Sequence, residues 1–101
     1  DNVIKFQIIT HCFMNDILIS TYDLNCLTEL AKKESIDLTN FCENISEQLI
    51  FKSAQSCRNA IQKAKRKNLV VKEGKKVMLN PQMKIQTTGD IFLDFKILGV
   101  D

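Results

Sequence analysis

The stretch SAQSCRNAIQKAKRKNLVVKEGKKVMLNP, residues 53–81, decides the fold that we predict for this chain. Its first half has apolar residues at steps of 3, 4 and 3, which place them on one helix face. These residues are Ala54, Cys57, Ile61 and Ala64. Ser53 precedes them and is a favoured N-cap, because its hydroxyl oxygen accepts from a free N–H of the first turn. We therefore predict a helix over residues 53–67 that buries a stripe of mostly small side chains.

The second half of the stretch predicts a β-hairpin over residues 69–79. Residues 69–72 and 76–79 are two β-prone runs on either side of Glu73-Gly74-Lys75. A tight hairpin turn needs a positive φ, and Gly74 adopts it without steric cost. Asn80-Pro81 ends the second strand, since proline has no N–H to donate to the ladder.

Upstream of this stretch, the first two helices are predicted from apolar spacing. Residues 3–15 form a helix that is apolar over more than half of its circumference, buried against the domain or against a second copy. Residues 17–19 follow as a short β-like run. The next helix is capped by Asp23 or Thr21 and ends near Glu34. Its apolar positions are Leu24, Leu27, Leu30 and Ala31.

A third helix is predicted after Asp37, which is placed to cap it. Its apolar face consists of Leu38, Phe41, Cys42 and Ile45. Residues 49–51 make an apolar turn before the helix that Ser53 caps. Past Pro81, residues 83–87 are predicted to be extended. Residues 91–98 have two alternatives, a short helix ended by Gly99, which we favour, or a strand with alternating apolar residues.

These elements predict a mainly α (α+β) fold in one domain over residues 1–101. Its core is residues 21–81, and the flanks 3–15 and 82–101 are candidates for oligomerisation. The length of 101 residues fits one domain, and 3 Gly with 1 Pro argue against a many-turned β fold. No apolar run reaches roughly 18 residues, so no membrane span is expected. We expect a cytoplasmic protein.

Charge is distributed unevenly although the net charge is only +2. Acidic groups outnumber basic ones in residues 1–50, and the reverse holds in residues 51–101. The basic excess is densest between Arg58 and Lys76, where Glu73 is the one acidic residue. Such asymmetry is typical of a polyanion partner, and its alternative is a solvated, lysine-rich helix face.

The order of the predicted elements is helix, short strand, three helices and hairpin. A close pair of helices followed at once by a hairpin resembles the winged helix-turn-helix domain. The segments FKSAQSCRNAI (residues 51–61), KNLVVK (67–72) and LNP (79–81) are similar to the recognition helix and wing of bacterial regulators. The similarity is greatest to phage- and plasmid-borne proteins, including replication initiators whose wing also ends in Asn-Pro. It covers about residues 37–81, under half of the chain.

This resemblance implies sequence-specific binding of duplex DNA in transcription regulation or replication of a phage or plasmid. The helix over residues 53–67 would enter the major groove, and the hairpin would lie against the DNA backbone. Gln and Asn can pair with adenine, while Lys and Arg can contact guanine or phosphate. Arg58 has the alternative of pairing with Glu43 or Glu47. The candidate DNA-binding residues are Ser53, Gln55, Ser56, Arg58, Asn59, Gln62, Lys63, Arg66, Lys72, Lys75 and Lys76.

Two alternatives to duplex DNA binding follow from the same residues. A winged helix can serve as a protein–protein interaction module in a larger assembly, although the basic wing is then without purpose. Binding of single strands or RNA is disfavoured, because Tyr22 is the only tyrosine and no phenylalanine lies between Arg58 and Lys76. Oligomeric state is also open. The flanks favour a homodimer, and a monomer with its tail folded back is the alternative.

Neither an enzyme nor a cofactor-binding protein is expected. The chain has one histidine, His11, no catalytic Ser/His/Asp arrangement and no glycine-rich phosphate loop. Its cysteines are separated by 14 to 16 residues, unlike the closely spaced ligand pairs of zinc sites. They are Cys12, Cys26, Cys42 and Cys57. We expect reduced cysteines acting as small apolar residues, with two disulfides as the alternative. For Cys57 at the first turn of a basic helix, a lowered pKa is a further alternative. No metal, cofactor or small-molecule ligand is predicted.

Overall fold

The computed structural model describes residues 2–47 and 52–87. In this part of the chain the α-helices are α1 (Asn2–Met14), α2 (Thr21–Ala31), α3 (Leu38–Glu47) and α4 (Ala54–Arg66). The strands are β1 (Ile36–Asp37), β2 (Val70–Glu73) and β3 (Lys76–Leu79), and a 3₁₀ turn follows at Pro81–Met83. The predicted mainly helical α+β class is confirmed. The predicted turn over residues 49–51 and the helix or strand over residues 91–98 lie outside the described residues.

Capping side chains lie at the starts of α2, α3 and α4. Two of the three caps are the residues that the sequence predicts. Ser53 caps α4, accepting from the Ser56 N–H at 3.2 Å, and Asp37 caps α3, accepting from the Asn40 N–H at 3.2 Å. The cap of α2 is Ser20, whose Oγ accepts from the Asp23 N–H at 3.1 Å. The prediction of Asp23 or Thr21 at this position is therefore wrong, since both residues lie inside the helix.

The sheet has one strand more than the hairpin that the sequence predicts. β3 pairs antiparallel with β2 on one side and with β1 on the other, giving the order β1-β3-β2. β1 pairs Ile36 with Val77. Two residues are too few to show the alternation by which a strand is recognised in sequence. β1 forms because the free backbone N–H and C=O groups of β3 pair with it. At the hairpin turn Gly74 has φ of +60°, as predicted.

The predicted β-like run over residues 17–19 is wrong. These residues form an irregular connection between α1 and α2 and take no part in the sheet. Asp16 has φ of +55°, and the Ile17 N–H donates to the Cys12 carbonyl at 2.8 Å, which closes the end of α1. Ile17 and Ile19 pack on the core and Leu18 is exposed. Buried and exposed side chains therefore alternate as in a strand, although the backbone pairs with no other strand. The fold's additional strand thus lies after α2 and not before it.

The core joins the inner face of α1, helices α2 to α4 and the inner side of the hairpin. Its largest fully buried side chains include Phe41, Ile8 and Leu30. Residues 84–87 have no regular secondary structure and contact α1. There the Gln86 N–H donates to Gln7 Oε1, and Gln7 Nε2 donates to the Gln86 carbonyl, both at 2.8 Å. The prediction that residues 83–87 are extended is wrong at its start, because Met83 belongs to the 3₁₀ turn and Lys84 is left-handed, with φ of +54°.

Three of the four cysteines meet where α2, α3 and α4 pack together. All four are free and buried, so the prediction of reduced, apolar cysteines is confirmed. A hydrogen bond to Cys26, with burial adding to it, raises the pKa of Cys57 to about 12. A hydrogen bond to Cys57, followed by burial, also raises the pKa of Cys42. The alternative of a low-pKa, reactive Cys57 is therefore wrong.

Candidate nucleic-acid interface

Helix α4 presents a polar face because its apolar stripe is confined to one side. Ala60 is buried beside the four apolar residues of the stripe, which widens the stripe and moves its centre. At 100° per residue the widened stripe leaves Gln55 and Arg66 on the opposite face, and Arg58 roughly 110° from its centre. Among the exposed polar residues of α4, those on or next to this opposite face are Gln55, Asn59, Gln62 and Arg66.

These side chains line a shallow cleft between α4, β2 and the first turn of α3. The cleft encloses about 420 Å³. Its lining residues are Leu38, Gln55, Arg58, Asn59, Gln62, Arg66 and Lys72. Three of these are cations, and the described residues contribute no carboxylate to the lining. An anionic ligand would meet attractive charge on two elements at once. We call this surface the α4 cleft.

Arg58 is held in the α4 cleft by the preceding helix. Its Nη2 donates to the Thr39 hydroxyl oxygen at 3.0 Å, from α4 to the second residue of α3. The two alternatives for Arg58 were contact with DNA or an ion pair with Glu43 or Glu47. The structure gives it a neutral partner on α3, so its positive charge is not neutralised by that contact. Five N–H donors allow the guanidinium to keep this bond and to face a ligand as well.

Two amides of the cleft are oriented by each other. Gln55 Nε2 donates to Asn59 Oδ1 at 3.1 Å, one helical turn apart. In this pair the Gln55 Oε1 acceptor and the Asn59 Nδ2 donor are the two groups that the bond does not use. In the major groove adenine presents an N6–H₂ donor next to an N7 acceptor. The pair therefore has the hydrogen-bonding complement of an adenine edge.

The hairpin lysines occupy different positions. Lys72 stands opposite Val77 in the β2–β3 register and lines the α4 cleft. Lys76 stands opposite Glu73, so an acidic neighbour lies across the ladder from it. Lys75 is exposed at the turn, and its carbonyl accepts from the Leu38 N–H at 2.8 Å. The turn is thereby attached to the start of α3, which carries the Arg58 partner.

Three other candidate residues lie outside the α4 cleft. Ser53 and Ser56 form the helix cap and lie 3.1 Å apart through their hydroxyl oxygens. Lys63 forms an ion pair with Asp23 of α2, with 2.8 Å between its Nζ and the carboxylate Oδ2. Ala60 explains this placement, because its burial brings Ser56 and Lys63 to the border of the apolar stripe.

Two residues that contribute to the α4 cleft were absent from the sequence-based set. Leu38 lines the cleft, and Thr39, outside the lining, accepts the hydrogen bond of Arg58. Both lie in the first turn of α3, which the hairpin and α4 approach only in the folded chain. Leu38 was visible in sequence as an apolar helix position, whereas nothing in the sequence around Thr39 indicates a contact 19 residues away.

The remaining observations concern other classes of site. Within residues 2–47 and 52–87 no group of three or more His, Cys, Asp or Glu side chains is arranged to hold a metal ion. In the same residues no helix has the length and apolar character needed to cross a membrane. Comparison of the chain with protein-family models, with curated proteins and with solved structures gives no match.

Proposed function

We propose that this chain binds duplex DNA with sequence preference, as a winged helix-turn-helix domain. The element order supports the proposal: α2, β1, α3 and α4 are followed by the β2–β3 hairpin, with strand order β1-β3-β2. In winged helices the helix before the hairpin enters the major groove. Here that helix is α4, which also carries the cations and amides of the α4 cleft.

The observation that carries the proposal is the composition of the α4 cleft. It combines three cations from two elements with an oriented amide pair. Cations bind phosphates without regard to sequence, whereas paired amides distinguish base edges. A helix of 13 residues is roughly 20 Å long, which suffices to follow the major groove through several base pairs.

The roles that we propose divide the residues between affinity and specificity. Gln55 and Asn59, in the first two turns of α4, contact an adenine edge. Arg58 and Arg66 contact guanine or a phosphate, and Lys72 and Lys75 contact phosphates beside the groove. The setting that we propose is cytoplasmic, in transcription regulation or replication of a phage or plasmid. Chemistry on a substrate is not part of this proposal.

The proposal is tested by fluorescence anisotropy on a random duplex of about 30 base pairs, titrated between about 50 and about 200 mM salt. The expected result is a steep linear fall of log affinity against log salt. Arg66→Ala and Lys75→Ala each flatten the slope by about one unit if each removes one phosphate contact. Lys33→Ala is the matched control, since Lys33 is exposed and does not line the α4 cleft.

Two results would contradict the proposal. Absence of binding at the lowest salt would exclude DNA as the ligand and favour a protein partner for the same face. Equal loss of affinity in Lys33→Ala and Arg66→Ala would show that DNA is attracted by any positive charge on the protein and that the α4 cleft has no particular role.

A further inference from the structure

Helix α1 carries a second apolar face, opposite the one that it buries in the core. The inner face is Ile4, Ile8 and Cys12, all buried. On the outer side Phe6, Ile9 and Phe13 follow at steps of 3 and 4, the spacing of a two-helix seam. Their side chains are 54%, 46% and 81% exposed. We call these three residues the outer face of α1.

Three further apolar side chains are exposed near the end of α1. Met14, Leu18 and Tyr22, at the end of α1, in its connection to α2 and in the first turn of α2, are 75%, 87% and 65% exposed. With full areas of about 150–250 Å² for side chains of this size, the six residues expose on the order of 700 Å², of which the outer face of α1 supplies under half. A standard protein–protein interface buries about 800 Å² on each partner. The outer face alone is therefore smaller than one side of a standard interface, and a dimer through it also needs Leu18 and Tyr22, since Met14 projects roughly 110° away from the centre of the face.

The charge pattern favours a second copy of the same chain as the partner. The six residues are uncharged. Of the ionisable side chains of α1, His11 projects to the other side of the helix, and Lys5 lies at the border of the outer face, roughly 40° from Ile9. Two copies can thus approach with no charge between Phe6 and Phe13, and with Lys5 at the edge of the contact. A seam with apolar residues at steps of 3 and 4 is also complementary to itself, since each side chain fits between those of the facing helix.

We propose that the outer face of α1 is a homodimer interface in which the α1 helices of two copies pack along each other. The proposal is independent of DNA binding, because α1 contributes no residue to the α4 cleft and the test uses no DNA. It selects one of the two oligomeric states that the sequence leaves open. The alternative occupant is the segment from residue 88 onward, which follows the contact between Gln86 and α1.

The test is sedimentation equilibrium of the full chain at several concentrations. Wild type is expected to have twice the 11.6 kDa chain mass and to dissociate on dilution. Phe13→Lys should weaken the dimer at least tenfold, because a charged side chain enters an apolar contact. Lysine is compatible with the last turn of α1 through the helix dipole, so the fold is retained. Asn44→Lys on the exposed side of α3 is the matched control and should leave the dimer unchanged.

Cross-linking gives a second measurement that does not depend on weakened binding. Ile9→Cys should form an intermolecular disulfide with oxidised glutathione as the oxidant, because residue 9 faces its own copy in either direction of helix pairing. Phe6→Cys should cross-link only if the two helices are parallel, since antiparallel pairing places it against residue 13. The native thiols are buried, so wild type should remain uncross-linked and is the control.

Three results would overturn the proposal. The first is a monomeric wild type up to about 200 µM. The second is equal weakening of the dimer by Asn44→Lys and Phe13→Lys. The third is a monomer that Phe13→Lys destabilises at every concentration, which would identify a segment of the same chain as the cover of this face.

Discussion

Helices α1 and α4 have the same length, 13 residues, and opposite outer surfaces. Both bury one side against the same core, and each contributes a buried cysteine, Cys12 or Cys57. Outside the core, α4 carries amides and arginines, whereas α1 carries phenylalanines and an isoleucine. Packing against the core therefore explains the residue types on only one side of each helix. The other halves differ in the partner that they suit, a polyanion for α4 and an apolar surface for α1.

The largest effect should come from comparing the two sides of α1. Ile8→Ala removes a fully buried side chain and should lower the free energy of unfolding by about 2–5 kcal/mol at any protein concentration. Ile9→Ala, one residue on, should have an effect that appears only where the chain is dimeric. Urea unfolding of both variants at two widely separated protein concentrations checks this. A concentration-independent loss in Ile9→Ala equal to that in Ile8→Ala would remove the distinction between the two faces.

A smaller effect on stability is expected from raising the pH, at the place where the thiols of α2, α3 and α4 pack together in the core. A hydrogen bond to Cys57, with burial, raises the pKa of Cys42. A hydrogen bond to Cys26, with burial, raises the pKa of Cys57 to about 12. The unfolded chain therefore loses these protons first as pH rises. Stability is fully present below the ordinary pKa of 9.0 and should fall as pH increases toward about 12.

The measurement is the urea midpoint at a series of pH values from neutral upward. Cys57→Ala should have a weaker decline than wild type across this window, and Lys33→Ala should have the wild-type decline. In addition, the four thiols should react with a thiol-specific dye only after unfolding, since all are buried. Rapid labelling of the folded chain, or an unchanged decline in Cys57→Ala, would contradict the thiol arrangement.

The smallest effect concerns Lys63, a predicted DNA contact that forms an ion pair with Asp23 of α2. The Lys63 side chain is 48% exposed, whereas that of Asp23 is 11% exposed. Asp23→Asn should cost about 1 kcal/mol of stability, because the pair is open to solvent on the Lys63 side and the carboxylate also favours the start of α2. It should raise DNA affinity slightly by releasing a positive charge. Lower affinity in this variant would indicate that the ion pair positions α4 for binding.

Much of the fold was predictable because it depends on local patterns. Apolar residues at helical steps predicted the four described helices, and Gly74 between two β-prone runs predicted the hairpin. Capping residues were identified at Ser53 and Asp37 but not at Ser20, since several capping residue types stand together before α2. β1 was missed because a strand of two residues exists only through its partner β3. The β-like run at residues 17–19 was predicted wrongly, because buried and exposed side chains alternate there although no strand lies beside it.

The candidate site was predictable to the extent that one helix contains it. Gln55, Asn59 and Arg66 share a face by helix geometry alone, and the structure brings them together in the α4 cleft. Lys63 lies outside the α4 cleft because Ala60 is buried and widens the apolar stripe, which the four residues identified from the sequence did not include. Thr39 and the attachment of Lys75 to α3 depend on contacts between distant segments. Such contacts follow from packing, which a single sequence without its fold does not contain.

The hairpin turn has a consequence for how this surface can change over evolution. A side-chain carbon added at Gly74 would meet nothing within 4 Å, although φ of +60° disfavours most residues other than glycine and asparagine. The restriction at this position is thus one of backbone conformation and not of space. Insertions on the β2 side of Gly74 would extend into solvent and leave the Lys75–Leu38 attachment in place. The β2–β3 hairpin can therefore vary in length while the helices that support it remain unchanged.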